Sequence, residues 1–446
     1  MELTSFETRQ QNLGHLMSAG SLAILPGAEF ITKSNDTEFP FRQDSNFKYL
    51  VGSYEPHAIF ALKKELDGTI RTILFLRDKD EFAEMWAGIR LGVEKAVDLL
   101  PIQEAYPIES FEMNLVELMK NTHRLYYDLH HPSLHQKVLE GMKTLERFRK
   151  QSIHRPQSIT HISPLVGRLR LQKDSNEIMA MRQAAKLTTL GFKAAMSMAN
   201  ETKTEKDVER LLSHIFTLEN GEGHAYDPIV AGGTNALVLH YIENDAPLKK
   251  EDWLLIDAGS QVNLYASDVT RTFPISGKFS KPQADLYDIV LEAQKAGFSK
   301  AAIGHSLTEV HQETSKVLIQ ALIDEKILEG SVDGILESGA HRKYYPHGTG
   351  HWLGLDVHDN SPYKNDDLSD IRFEEGMCFT VEPGLYFKEN DPQVPAHWRG
   401  LGIRTEDDIL ITDKGFENLT RSIPKERKEI EEACQRPFED FIKEIF

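Results

Sequence analysis

The sequence predicts an α/β N-terminal domain followed by a larger α+β domain. Its length of 446 residues exceeds what one ordinary core holds. The first third mixes short β-like runs with amphipathic segments. Beyond a polar stretch containing Pro156 and Pro164, long segments of helical period alternate with hairpin-like and strand-like runs.

In the first domain, Ala58 to Leu62, Thr72 to Leu76 and Arg124 to Leu129 read as strands, and Leu134 to Arg149 reads as a charged helix. Between Lys150 and Pro164 the periodicity dissolves into the composition of a linker. The expected boundary lies near residue 172, giving domains of 1–172 and 173–446. Asp174, with Glu177 three residues on, forms a capping-box pattern for a helix to about Ala199. Thr204 can cap the next helix, whose Val208, Leu211, Leu212, Ile215 and Phe216 share a face, with Gly221 just past its end. Two further helices are expected over about Pro282 to Ala302 and Leu307 to Leu328, with Gly304 between them. Trp253 to Phe273 reads as a hairpin, its return strand running from Leu264 to Phe273.

Lys plus Arg total 51 against 69 Asp plus Glu, a net charge of -18 that repels phosphate backbones and anionic lipid. Nucleic acid and membrane are therefore not expected partners. Cys378 and Cys434 are the only cysteines, too few for a disulfide framework or a thiolate zinc site. No segment has the pattern of a signal peptide or the roughly 20 apolar residues that span a bilayer, so a cytoplasmic location is expected.

The chemistry begins in the hairpin. Strand alternation puts Leu255 and Asp257 on one face, and Asp268, Thr270 and Thr272 on one face of the return. Asp257 ends an apolar run, where an ionised carboxylate is costly unless a cation or strong donors compensate it. Taken alone, Asp257 reads rather as a turn residue before Ala-Gly, and Asp268 as a residue of a solvated strand face. Between Tyr345 and Asp359, however, His347, His351 and His358 crowd into Pro-His-Gly-Thr-Gly-His-Trp-Leu-Gly-Leu-Asp-Val-His-Asp. A lone histidine is usually structural, but three in a glycine-rich run beside paired carboxylates favour ligands or proton carriers. Met377 to Val381 then runs into Glu382-Pro383-Gly384, and Glu406 precedes the apolar run Ile409 to Ile411. By itself Glu382 is an ordinary strand-end acid, and Glu406 an acidic turn in an acidic protein. Together, Asp257, Asp268, His351, Glu382 and Glu406 offer four carboxylates and one imidazole. That set suits two hard or borderline dications such as Mn²⁺, Co²⁺, Fe²⁺ or Zn²⁺, and such a pair is hydrolytic machinery.

The run from His347 to Asp359, with Thr380-Val-Glu-Pro-Gly-Leu-Tyr386 and Gly402-Ile-Arg-Thr-Glu-Asp-Asp408, resembles the M24 "pita-bread" metallopeptidases of the Xaa-Pro aminopeptidase (aminopeptidase P) group. Val238-Leu-His240-Tyr and the spacing of Asp257 and Asp268 agree, as do the segments around Asp36, Trp86 and Arg155-Pro156 in the first domain. The resemblance implies a pita-bread C-terminal domain and a dinuclear site, usually manganese, held by Asp257, Asp268, His351, Glu382 and Glu406, with Asp268 and Glu406 bridging. It implies cleavage between an N-terminal residue and a following proline by a metal-bridging hydroxide, with Glu382 relaying the proton. His240 and His358 would contact the substrate carbonyl and the tetrahedral intermediate, His347 would line the same pocket, and Arg404 would orient Asp257. Asp36, Trp86 and Arg155 would help close the substrate site in a homodimer or homotetramer. The ligand motifs do not separate this activity from that of a prolidase, which accepts only Xaa-Pro dipeptides, and pita-bread folds also serve as noncatalytic binding modules. Tyr226, Tyr386 and Arg372 stand open between lining the pocket and packing.

Overall fold

In a computed structural model, residues 3–148, 150 and 152–445 are described, the last four of these by backbone alone. The chain divides into two compact units, Met1–Arg170 and Leu171–Phe446.

The first unit is built on a six-stranded sheet. Its strands are β1 (Ser21–Pro26), β4 (Ile59–Lys64), β5 (Ile70–Leu76), β6 (Glu104–Pro107), β7 (Arg124–Tyr127) and β8 (Ser158–His161), in the order β6-β5-β4-β1-β7-β8; β2 (Thr32–Ser34) and β3 (Thr37–Glu38) form a separate hairpin. The pairs β1–β4 and β4–β5 are antiparallel, and β5–β6, β1–β7 and β7–β8 are parallel. Alternation drives the packing, because Leu22 and Ile24, Ile73 and Phe75, and Leu125 and Tyr127 project from one face. They meet Phe111 and Leu115 of the helix Phe111–Met119 and Leu134 and Val138 of the helix Pro132–Leu145. The polar stretch read as a linker contains β8, whose Ser-Ile-Thr-His sequence carries no apolar run because it is an edge strand paired on one side only. The charged helix ends at Leu145, with a 3₁₀ turn over Glu146–Phe148. Its expected last residue, Arg149, lies outside the described residues.

The second unit packs helices against several small sheets. The helix Ser175–Ser197 opens with the Asp174/Glu177 capping box, and Glu205–Ile215 opens with Thr204 and Asp207 in the same arrangement. Lys281–Phe298 and Leu307–Asp324 form a contacting pair, each shorter than its apolar pattern suggests. Their strand partners are β9 (Ile229–Gly232), β10 (Trp253–Ala258), β11 (Gln261–Val262), β12 (Tyr265–Ala266), β13 (Val269–Pro274), β14 (Cys378–Val381), β15 (Gly384–Tyr386), β16 (Gly402–Arg404), β17 (Asp407–Thr412) and β18 (Gly415–Asn418). The sheets are ordered β13-β10-β9 and β14-β17-β18, with β11–β12 and β15–β16 as pairs.

The hairpin departs from the simple reading. Its return strand is broken at Ser267 and Asp268, and β11–β12 forms a small hairpin of its own inside the larger one. Asn263 and Leu264, at φ 52° and 66°, make that inner turn, a left-handed pair that apolar periodicity does not reveal. Among the described residues no helix is long and apolar enough to cross a membrane. Cys378 and Cys434 are free and buried.

Candidate metal centre

Backbone hydrogen bonds bring distant segments together at one cavity. Asp257 pairs with Thr270 across β10–β13, so the two hairpin aspartates are carried into one space. Glu406 N–H donates to Thr270 O (3.0 Å), and Thr272 Oγ1 donates to Arg404 O (3.0 Å), which stitches β16 and Glu406 to that hairpin. Thr380 N–H donates to His351 O (3.0 Å) and Glu382 N–H to Thr349 O (2.7 Å), laying the glycine-rich histidine segment along β14. The approach requires Gly350, where a Cβ would stand 1.9 Å from Thr380 O.

The result is a cavity of about 630 Å³ lined by Asp257, Asp268, His351, Glu382, Glu406 and Arg404, with His240, His347 and His358 around them. Ligand atoms of Asp268, His351 and Glu406 lie within 4.8 Å of one another. Glu382 Oε1 is 3.7 Å from His351 Nε2, and Asp257 joins through Tyr226, whose hydroxyl is 2.5 Å from both Asp257 Oδ1 and Asp268 Oδ1. All five residues expected as ligands thus face one cavity.

The surrounding bonds fix their orientation. His351 Nδ1 pairs with Trp352 O (3.1 Å), which leaves Nε2 directed at Asp268 Oδ2, 3.3 Å away. Arg404 donates to Asp257 Oδ2, to Tyr386 Oη (2.8 Å) and from Nε to Thr270 Oγ1 (3.0 Å), while Thr270 Oγ1 donates to Glu406 Oε2 (2.7 Å). Asp408 accepts from Asp268 N–H (3.0 Å) and Ser267 Oγ (2.7 Å), pinning the break in the return strand.

The electrostatics fit divalent cations. Burial raises Glu382 to about 7 against the pull of His351 and Arg404, and burial plus the neighbouring carboxylates raises Glu406 well above the usual carboxylate range. Burial would also raise Asp268, but the His351 bond and field outweigh it and hold the carboxyl low. Burial would depress His351, yet Asp268 and Glu382 lift it to about 9. Arg404 is the one Lys or Arg among the cavity-lining residues, and it is committed to Asp257. An excess of buried acid sharing one guanidinium and one imidazole calls for added positive charge, and an oxygen-rich set with a single nitrogen accommodates divalent metal.

His347 Nε2 pairs with Tyr386 Oη (3.0 Å), and its Nδ1 lies 3.5 Å from Glu382 Oε2. Burial and Arg404 lower His347 to about 3, and burial with His351 lowers His358, whose ring centroid is 4.1 Å from that of His351. In both imidazoles burial therefore favours the neutral form. Arg372, by contrast, is not among the residues lining the cavity and pairs with Glu309 (2.6 Å). In the first unit, Asp36 is in the exposed turn between β2 and β3, Trp86 is 78% exposed on the helix Glu81–Ala87, and Arg155 pairs with Glu146 (2.7 Å).

Sequence reasoning left Tyr226 and Tyr386 undecided and missed Asp408 as a support. No local pattern marks them, since their partners lie 31 and 42 residues away for Tyr226, 18 for Tyr386 and 140 for Asp408. Only Thr270 carried a signal, through its alternation with Asp268.

Known proteins resemble this chain in sequence and in fold. Residues 179–413 match metallopeptidase family M24, and residues 6–126 match the aminopeptidase P N-terminal domain. The chain is similar to the Xaa-Pro aminopeptidase of Haemophilus influenzae, 40% identical over 426 residues and 96% of each chain, and to that of Escherichia coli, 38% identical over 96% of each. It is also similar in structure to Pseudomonas aeruginosa aminopeptidase PepP, at a TM-score of 0.92 and 36% identity over 97% of this chain and 98% of that one. Zinc-substituted Escherichia coli aminopeptidase P in complex with product gives the same values.

Proposed function

Because this chain belongs to metallopeptidase family M24, with the pita-bread fold and the aminopeptidase P N-terminal domain, we propose that it is a Xaa-Pro aminopeptidase. It would release the N-terminal residue from peptides with proline in second position. The observation that carries this reading is the convergence of Asp257, Asp268, His351, Glu382 and Glu406 on one cavity that His347 and His358 also line.

Those five residues would hold two divalent cations, with manganese the first candidate. When bound, the cations polarise the scissile carbonyl and acidify the attacking water. The chain's own residues do the rest. Glu382, 3.7 Å from His351 Nε2 in the cavity, carries the proton to the leaving imide nitrogen. His358 and His240 hydrogen-bond the carbonyl oxygen and the tetrahedral intermediate as charge develops. Arg404 holds Asp257, and Tyr386 links Arg404 to His347. An Xaa-Pro bond has no N–H to recognise, so the ring is selected by shape, against aromatic and imidazole surfaces. Asp36, Trp86 and Arg155 belong to the same proposal as residues that close the site in a homo-oligomer of a cytoplasmic enzyme.

The prolidase reading is not favoured, since the relatives that match nearly the whole chain are Xaa-Pro aminopeptidases. The test is hydrolysis of Xaa-Pro-Yaa tripeptides and Xaa-Pro dipeptides with Mn²⁺, Co²⁺ or Zn²⁺, alongside a chelated control. Metal-dependent release of the first residue from tripeptides is expected. Hydrolysis of dipeptides alone, or of nothing under any metal, overturns the proposal.

A further inference from the structure

The strand bearing Ile229 leaves its partner's register where it reaches the cavity. Ile229 opposes Asp257, and the next bridge back along the chain joins His224 to Ser260. Residues 225–228 on one side therefore face only 258 and 259 on the other, an irregularity that expels side chains from the ladder. Bulges beside functional sites re-aim side chains in this way. The two expelled side chains that line the cavity are Tyr226 and Asp227.

Their fates differ. Tyr226 is spent between Asp257 and Asp268. Asp227 is exposed in the cavity and makes no hydrogen bond or ion pair with any described residue, although the half-buried His224 lies within its field. Leu239, Ile242 and Val357 line the same space. An unpaired carboxylate beside apolar side chains selects a cation carried on a hydrocarbon stem.

Resting on the function proposed above, we propose that Asp227 is a specificity residue that reads a positive charge on the residue being released. The shared chemistry is an ammonium or guanidinium group, with two sources: a basic side chain, or the α-ammonium of the peptide. Exposed pairs of this kind are weak, so the preference is a few-fold one and declines with added salt.

The test compares the Mn²⁺-loaded wild type with Asp227→Asn and Asp227→Lys. Substrates are Lys-Pro-Ala, its uncharged analogue norleucyl-Pro-Ala, and the pair Ala-Pro-Ala and lactoyl-Pro-Ala, which differ in the α-ammonium. Wild type is expected to favour Lys over norleucine in kcat/KM, and Asp227→Asn to shrink that ratio about threefold or more, mainly through KM. Asp227→Lys is expected to invert the ratio. If the α-ammonium is the group read, the Ala to lactoyl ratio falls instead. Calorimetric Kd values for the same peptides, in the turnover-deficient Glu382→Gln background, give a readout independent of catalysis. Both ratios unchanged in both variants, with tripeptide cleavage intact, overturn the role of Asp227 alone. A wild type inert toward all four peptides overturns the proposed function and this role with it.

Discussion

Replacing Asp407 with asparagine removes one negative charge that is fully buried and leaves two cations without it. Arg271 Nη2 donates to Asp407 Oδ1 (2.7 Å), Lys425 Nζ to Oδ2 (2.7 Å) and Gln294 Nε2 to Oδ2 (3.1 Å). Arg271 also donates to the carbonyl of Glu406 (2.5 Å), so the cluster sits directly behind an expected metal ligand. Breaking a buried ion pair by removing one partner costs roughly 3–5 kcal/mol. At about 2 °C per kcal/mol for a unit of this size, Tm should fall about 6–10 °C. Burial would raise the Asp407 carboxyl, but Arg271 and Lys425 outweigh it and hold the carboxyl below the usual range. Its stabilisation is therefore fully present above the unfolded value of about 4 and is lost as pH falls through the lower folded value. The Tm gap between wild type and Asp407→Asn should be constant from about pH 5 to 8 and narrow in acid, measured by scanning calorimetry on metal-free protein. A gap below about 2 °C at neutral pH, or one that widens on acidification, refutes the reasoning.

Glu382→Gln and Asp268→Asn should abolish turnover while circular dichroism stays native; near wild-type activity in either variant sinks the assignment of roles. His358→Ala should lower kcat more than it raises KM, because its contact strengthens with developing charge, and a loss confined to KM would show a binding role instead. Arg404→Lys should lower metal affinity and kcat/KM about 10- to 100-fold, since one ammonium cannot serve Asp257, Tyr386 and Thr270 together; equilibrium dialysis and steady-state kinetics measure both. Chelation should lower Tm and added Mn²⁺ restore it in a concentration-dependent way, whereas a Tm indifferent to metal would mean that the acid cluster holds none.

The sequence by itself determined the chemistry. Carboxylates at the ends of apolar runs, three histidines among glycines and the Glu-Pro-Gly turn point to a hydrolytic metal set, because a ligand's identity resides in its own side chain. It also determined most helices and strands, whose periodicity and caps are local. The tertiary structure decided what each acid does. Glu406, Asp407 and Asp408 are adjacent and chemically alike, yet Glu406 faces the cavity, Asp407 is neutralised by Arg271 and Lys425, and Asp408 accepts from Asp268 N–H. Strand alternation separates their directions, but their partners come from segments up to 141 residues away. The bulge at Tyr226 and Asp227 and the break before β13 were equally invisible, because both arise from pairing between strands and not from any preference of the residues within them.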